Sequence, residues 1–278
     1  MIHDVKYGQG LSFDYSWIDS VECDEATYNV DTERSERMVE QDLLADKHPL
    51  FSKVTVDSDT EIIVGGSLAS LHVVANKDCT IIIRHTGKFT SLRLHCDVNQ
   101  CTVNLVVIQK GERCVQYKTV DCKGTINIYD CLDQEWSQCY NDVNLLSEDA
   151  SSVQKTSTIG AYANVYTRVY HHVSGTNSIM SSRSAVSNEL VYRGHIYIPE
   201  QVSAVSHQDC DIILLNDDSK AVALPILDVT SQDVECSHGA SISTFDETVV
   251  RYMSSRGVNQ HAQKKLLVQS IKEWGMLP

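Results

Sequence analysis

Residues 79–132 read CTIIIRHTGKFTSLRLHCDVNQCTVNLVVIQKGERCVQYKTVDCKGTINIYDCL. The runs CTIIIR, SLRLHC, CTVNLVVI and GTINIYDC follow one another, separated by polar or glycine punctuation. Most alternate apolar with polar residues, and Val, Ile, Thr and Tyr dominate, which is the signature of short half-buried strands. The pattern extends both ways, through TEIIV and LHVVA upstream and ANVYTRVYHH, ELVYRGHIYI, CDIILL and AVALPILDV downstream. The strands recur at intervals of roughly ten residues, as in all-β chains. No amphipathic helical segment interrupts them between about Lys53 and Asp233, so a βαβ architecture is excluded. A sandwich, a barrel and a β-helix solenoid stay open. The strand number is high for one sandwich and prolines number only four, which favours the solenoid. In a solenoid each coil needs its neighbours to bury its inward face, so Val, Ile and Leu stack into ladders.

The chain thus divides into a β body over 53–243 and two flanking regions. Residues 1–52 are irregular and acidic, with Phe13, Tyr15, Trp17 and Tyr28 expected to pack on the body. Within them Thr32–Asp46 reads as a short helix, capped by Asp31 or Thr32, with Val39 and Leu43 on one face and Pro49 as its stop. Residues 244–278 read as two helices. Thr244 and Glu247 form a capping box. Phe245, Val249, Tyr252 and Met253 then make an apolar face, and Arg256 and Gly257 end the first helix. Asn259 is placed to cap the second, along which Ala262, Leu266, Ile271 and Trp274 are apolar. Such helices suit docking onto a partner, or capping the open end of a solenoid.

Composition narrows the function. Lys+Arg 23 against Asp+Glu 37 gives a net charge of -14 over 278 residues. A phosphate backbone or an anionic membrane surface calls for the opposite sign, so neither nucleic acid nor membrane is an expected partner. No apolar run approaches the roughly 20 residues of a membrane span, and the first residues lack the basic and apolar regions of a signal peptide. A cytoplasmic location is expected by default, where the ten cysteines would be thiols. No C-x-x-C pair occurs, which argues against a zinc ribbon or a thioredoxin-type motif. Most cysteines are read as small buried hydrophobes.

The usual catalytic signatures are missing: there is no G-x-S-x-G, P-loop, H-E-x-x-H or G-x-G-x-x-G. Asp209, Asp211, Asp217 and Asp218 form a loose acidic group that a solenoid carbohydrate-active enzyme could use, though a solvated turn explains them as well. His171 and His172 are adjacent, so on a strand they face opposite sides and cannot chelate together. Cys210 and His238 remain. Thiolate and imidazole are a matched pair for iron or zinc, and the strand-like sequence between them could bring them side by side. Two ligands do not complete a site; the rest would come from elsewhere in the chain, from sulfide or from a second subunit. Cys236 lies two residues from His238 and would share its face on a strand. It is read as packing, with a ligand role as the alternative.

The segment LPILDVTSQDVECSHGASISTFDETVVRYMSSRG resembles the signature of the SufB/SufD family of iron–sulfur cluster assembly proteins. That signature runs P-x-L-x-I, D-V-x-C-S-H-G-A, then a helix ending in S-R-G. Here these are Pro225 and Leu227, Asp233 to Ala240, and Ser255-Arg256-Gly257. Upstream, RGHIYI and the Q-D-C-D-I-I-L-L strand are similar to the family's last β-helix coils. The likeness is specific over about 181–274. It implies a right-handed parallel β-helix, dimerisation through the C-terminal coils and docking of a SufC-like ABC ATPase on the C-terminal helices. Phe245, Val249, Tyr252, Met253, Arg256 and Leu266 are the residues expected to face that ATPase. The resemblance also implies a transient iron–sulfur cluster at the dimer interface, with Cys210 matching the SufB cysteine and His238 the SufD histidine. Both halves stand in this one chain, as expected of a homodimer whose two-fold axis supplies two of each. Where SufB has carboxylates flanking its histidine, this chain has Ser237 and Gly239. The expected role is that of a scaffold rather than an enzyme. A solenoid carbohydrate-active enzyme and a cluster-free subunit that only activates the ATPase are the alternatives.

Overall fold

The computed structural model describes residues 33–35 and 49–276. Its strands are, in chain order, β1 (Glu33–Ser35), β2 (Phe51–Val56), β3 (Thr60–Val64), β4 (Leu68–Ala75), β5 (Cys79–Thr86), β6 (Phe89–Val98), β7 (Thr102–Lys110), β8 (Arg113–Cys122), β9 (Thr125–Asp133), β10 (Trp136–Leu145), β11 (Ser151–His171), β12 (Thr176–Ile198), β13 (Ala204–Leu214), β14 (Lys220–Val229) and β15 (Val234–Thr244). Two helices close the chain, α1 (Glu247–Ser255) and α2 (Gln260–Met276).

Even-numbered strands β2 to β10 stack in parallel on one wall, and odd-numbered strands β3 to β9 stack in parallel on the other. The long strands β11 and β12 turn the corner, so the first half of each lies on the odd wall and the second half on the even wall. Next, β13 stacks on the first half of β12, β14 on its second half, and β15 on β13. The result is the expected β-solenoid, of about seven turns. Successive coils lengthen along the chain. Thr60 lies opposite Ile81, whereas Ala204 lies opposite Val234.

The expected ladders are present. Val54, Val73, Cys96, Val120, Val143, Val169 and Ile196 succeed one another in register on the even wall, and every one of them belongs to the buried core. Each Val or Ile of the ladder contributes about 1.5–3 kcal/mol when removed from water. No single coil can collect this alone, so stacking is what stabilises the body. Of the nine described cysteines, all are free thiols and all but Cys236 are buried. At the corner of β11, Gly160 is required by close approach: a Cβ there would lie 2.0 Å from the Gln134 carbonyl oxygen.

Three sequence expectations change. The helix expected over Thr32–Asp46 is not formed at Glu33–Ser35, which pair antiparallel with β2; extended pairing with a preformed edge wins over a weak helical pattern. The remainder of that helix, and Phe13, Tyr15, Trp17 and Tyr28, lie outside the described residues. The cap of α1 is Asp246 rather than Thr244. The Asp246 carboxylate accepts from the amides of Thr248 and Val249, while Thr244 is still extended in β15. Phe245 therefore precedes the helix instead of belonging to its face. Finally, α2 does not cap an open end. It lies along the body, with Ile271 packed on Ile159 and Ala185 and Lys272 paired with Asp133.

Candidate metal and cluster site at the last coils

Cys210 and His238 sit on adjacent parallel strands, in neighbouring inward-facing rows. One row runs Ile83, Val107, Asp130, Thr156, Ser182, Cys210, Ala240. The next runs Ile81, Leu105, Ile128, Gln154, Met180, Gln208, His238. Cys210 thus faces Ala240 and His238 faces Gln208. Strand spacing and rise place the Cα atoms of Cys210 and His238 about 8 Å apart. Cys236 ends a third inward row, after Ser152, Ser178 and Ser206, and packs against the core.

The two candidate ligands differ in environment. Cys210 is 1% exposed, among Leu190, Tyr192 and Ile212. Burial pushes its thiol up to about 12, and the Asp211 and Asp209 carboxylates add to the shift. It is therefore a protonated thiol, neither nucleophile nor metal ligand until water or a cation reaches it. His238 is exposed, because among the described strands β15 pairs only with β13. Burial raises the Cys236 thiol as well.

Both rows start apolar and turn polar towards the C-terminal end. Lys118 and Asp130 form an ion pair with both side chains fully buried. The Asp130 carboxylate also accepts from Gln116 Nε2 at 3.1 Å and Asn141 Nδ2 at 2.8 Å. Asp130 shares its row with Thr156, Ser182 and Cys210, so polar groups line the interior from mid-body to the last coil. Gly194 leaves room in that interior: a Cβ there would lie 2.0 Å from Gln208 Nε2. Nothing in the sequence reading singled out Lys118 or Asp130. For Asp130 parity could have done so, since it falls on an inward position between Ile128 and Leu132, whereas Lys118 sits between Gln116 and Val120.

The other sequence candidates are placed differently. His171 points inward and is fully buried, with its ring 2.7 Å from Thr176 Oγ1 and 3.0 Å from Ser178 Oγ. Thr176 Oγ1 donates to the Val173 carbonyl, so it accepts from Nδ1–H of the histidine and leaves Nε2 to accept from Ser178. His172 points out and stacks on Tyr170 at 4.0 Å. The adjacent pair faces opposite sides, as strand geometry requires. Asp209 and Asp211 also point outward, each accepting from a serine of a neighbouring coil, Ser181 at 2.7 Å and Ser241 at 2.6 Å. Asp217 and Asp218 lie in an exposed turn. Among the docking candidates Val249, Tyr252 and Leu266 are well exposed, Arg256 lies over the Tyr252 ring, and Phe245 and Met253 are half-buried.

The chain is thus a parallel β-solenoid with a thiol and an imidazole on adjacent strands of its last coils. The chain belongs to the family described as SUF system FeS cluster assembly, SufBD core domain, whose model matches residues 63–271. It is similar to an iron–sulfur cluster assembly SufBD family protein of Methanothermobacter thermautotrophicus, 31% identical over 101 residues, or 35% of this chain and 24% of that one. A protein of the same description from Staphylococcus haemolyticus is 25% identical over 109 residues, 38% of this chain and 23% of that one. The matched stretches thus span about a quarter of the length of these relatives.

Proposed function

We propose that the chain is a scaffold subunit for de novo iron–sulfur cluster assembly, working as a homodimer with a SufC-like ABC ATPase. The observation that carries this reading is the placement of Cys210 and His238 on adjacent terminal strands. Among the described strands β14 pairs only with β12 and β15 only with β13, so both leave an edge available to a second copy. Ile226 and Ile242 on these strands are exposed. An isologous contact there would bring two Cys210 and two His238 together, which answers the shortage of ligands within one chain.

In this reading Cys210 is held as a neutral thiol in the resting state. Movement of the C-terminal helices by the ATPase opens the interface, water reaches Cys210, and the thiol ionises as iron binds. The cluster is the cargo. Thiolate holds it, and the exposed His238 is the weaker ligand that lets it leave. The docking, the dimer and the cluster are all measurable in one preparation. After anaerobic loading with iron and sulfide, the parent dimer should show the visible absorption of a cluster. Cys210→Ser should lose it while light scattering still reports a dimer. A Cys210→Ser protein that loads like the parent ends the assignment. A parent that binds the ATPase but never loads favours a purely ATPase-activating subunit.

A further inference from the structure

The outer face of the even wall carries two imidazoles and two carboxylates in one block. His72 on β4 lies opposite His95 on β6, and Asp97 on β6 lies opposite Asp121 on β8. Residues two apart on a strand share a face, so His95 and Asp97 point the same way. The ligand atoms of His72, His95 and Asp97 all lie within 4.8 Å of one another. The His72 Nε2 atom is 2.8 Å from one Asp97 carboxylate oxygen, and His95 Nε2 is 3.0 Å from the other. His95 Nε2 is also 3.6 Å from an Asp121 oxygen. The rings meet edge to face, with centroids 5.1 Å apart.

We propose that this block binds one divalent first-row transition ion, zinc(II) or ferrous iron, through His72 Nε2, His95 Nε2 and the Asp97 carboxylate, with Asp121 completing the set. Three observations carry the assignment. First, the geometry fits: metal–donor bonds of about 2.0–2.1 Å put tetrahedral donors about 3.3 Å apart, and the observed separations bracket that value. Second, two imidazoles with carboxylates select borderline divalent ions over calcium or magnesium, which prefer all-oxygen sets. Third, Asp97 and Asp121 face each other across neighbouring strands, so two carboxylates stand within reach of the same imidazole, that of His95. The imidazoles are nearly buried while the carboxylates stay partly open to solvent, so the site has rigid donors and a path for entry. The block lies on the even wall, whereas Cys210 and His238 lie on the odd-wall strands β13 and β15, so the two sites are separable.

The test uses the full chain carrying Cys210→Ser and His238→Ala, freed of metal by chelation and titrated anaerobically with zinc(II), iron(II) and cobalt(II). The expected result is one equivalent of ion per chain. Cobalt should give the visible bands of a low-symmetry nitrogen–oxygen site with no thiolate charge-transfer band. His72→Gln and His95→Gln should each lose that equivalent while circular dichroism stays that of the parent. Absence of stoichiometric binding overturns the proposal. So does a thiolate band, or binding that survives both glutamine substitutions. Should the substituted chains misfold, the cobalt spectrum of the parent decides, because it reports the donor atoms directly.

Discussion

Cys210 and His238 occupy diagonal positions on adjacent parallel strands, in neighbouring inward rows, yet one is sealed and the other open to water. The difference comes from where the solenoid ends. Cys210 has a coil on both sides, Ser182 before it and Ala240 after it. His238 has Gln208 on one side and, among the described strands, no further coil on the other.

This asymmetry predicts slow thiol chemistry. With its pKa pushed up to about 12 by burial, Cys210 is almost wholly protonated at pH 7.5, and the reactive thiolate is scarce. Iodoacetamide added to the native protein should leave the Cys210 peptide unmodified over a time in which Cys236, which is only half-buried, reacts first. Mass spectrometry of the digested peptides reads both sites at once. On the proposed function, adding a SufC-like ATPase with ATP should speed labelling at Cys210 selectively. Rapid labelling of Cys210 in the resting protein would contradict the sealed state.

How much of this was legible in the sequence depends on what kind of signal carries it. The alternating Val and Ile runs of residues 53–233 announced a strand-stacking fold, because stacking demands apolar residues at every inward position. Cys210 and His238 were singled out by their neighbours in the C-terminal motif, and the fold places them on adjacent strands. The Lys118–Asp130 pair was not, since a buried charge is visible only once both partners are known to face inward. The His72, His95 and Asp97 block was hidden for a related reason: its members are brought together by a coil length that no local pattern reveals. At the first helix, Asp246 took the cap from Thr244 because β15 extends further than the alternation suggested.

A second prediction concerns acid. His85 and His171 are fully buried, and burial pulls both pKa values from 6.5 to about 4, with His172 adding to the effect on His171. The unfolded chain therefore binds more protons between pH 4 and 6.5, so stability is full above 6.5 and declines as pH falls through that window. Each histidine accounts for about 3 kcal/mol across the whole window. Urea unfolding at pH 7.5 and pH 5.0 should show a clear loss at the lower pH. His171→Asn should flatten that dependence. Equal stabilities at the two pH values would rule the mechanism out.

The interior ion pair supplies a third. Lys118 and Asp130 are fully buried, and removing one partner of such a pair strands the other charge, at about 3–5 kcal/mol. Asp130→Asn should therefore lower the unfolding free energy by that order. Replacing both, as Lys118→Met with Asp130→Leu, should recover part of the loss, because an apolar pair needs no desolvation of charge. The recovery will be incomplete, since Gln116 and Asn141 lose the acceptor they share. Denaturation of the single and double variants gives the coupling directly.

The helices supply the last prediction, and it separates docking from folding. No residue of α1 is buried, while Val249 is 44% and Tyr252 61% exposed. The body gains little from that face, so Val249→Asp with Tyr252→Ala should leave the melting temperature within a degree or two of the parent. The neighbouring α2 is different. Ile271 packs on the body, and Gln263 is fully buried, donating to Ser254 Oγ at 3.0 Å and the Val258 carbonyl at 2.7 Å. Gln263 thus ties α1 to α2, and Ile271 ties α2 to strands β11 and β12. Ile271→Asp should cost several kcal/mol by burying an unpaired charge. If α1 is the docking element, the Val249/Tyr252 double variant loses co-purification with the ATPase at unchanged stability. If that variant still binds the ATPase like the parent, the partner must be engaged by another surface, and the proposed opening of the interface by movement of these helices fails.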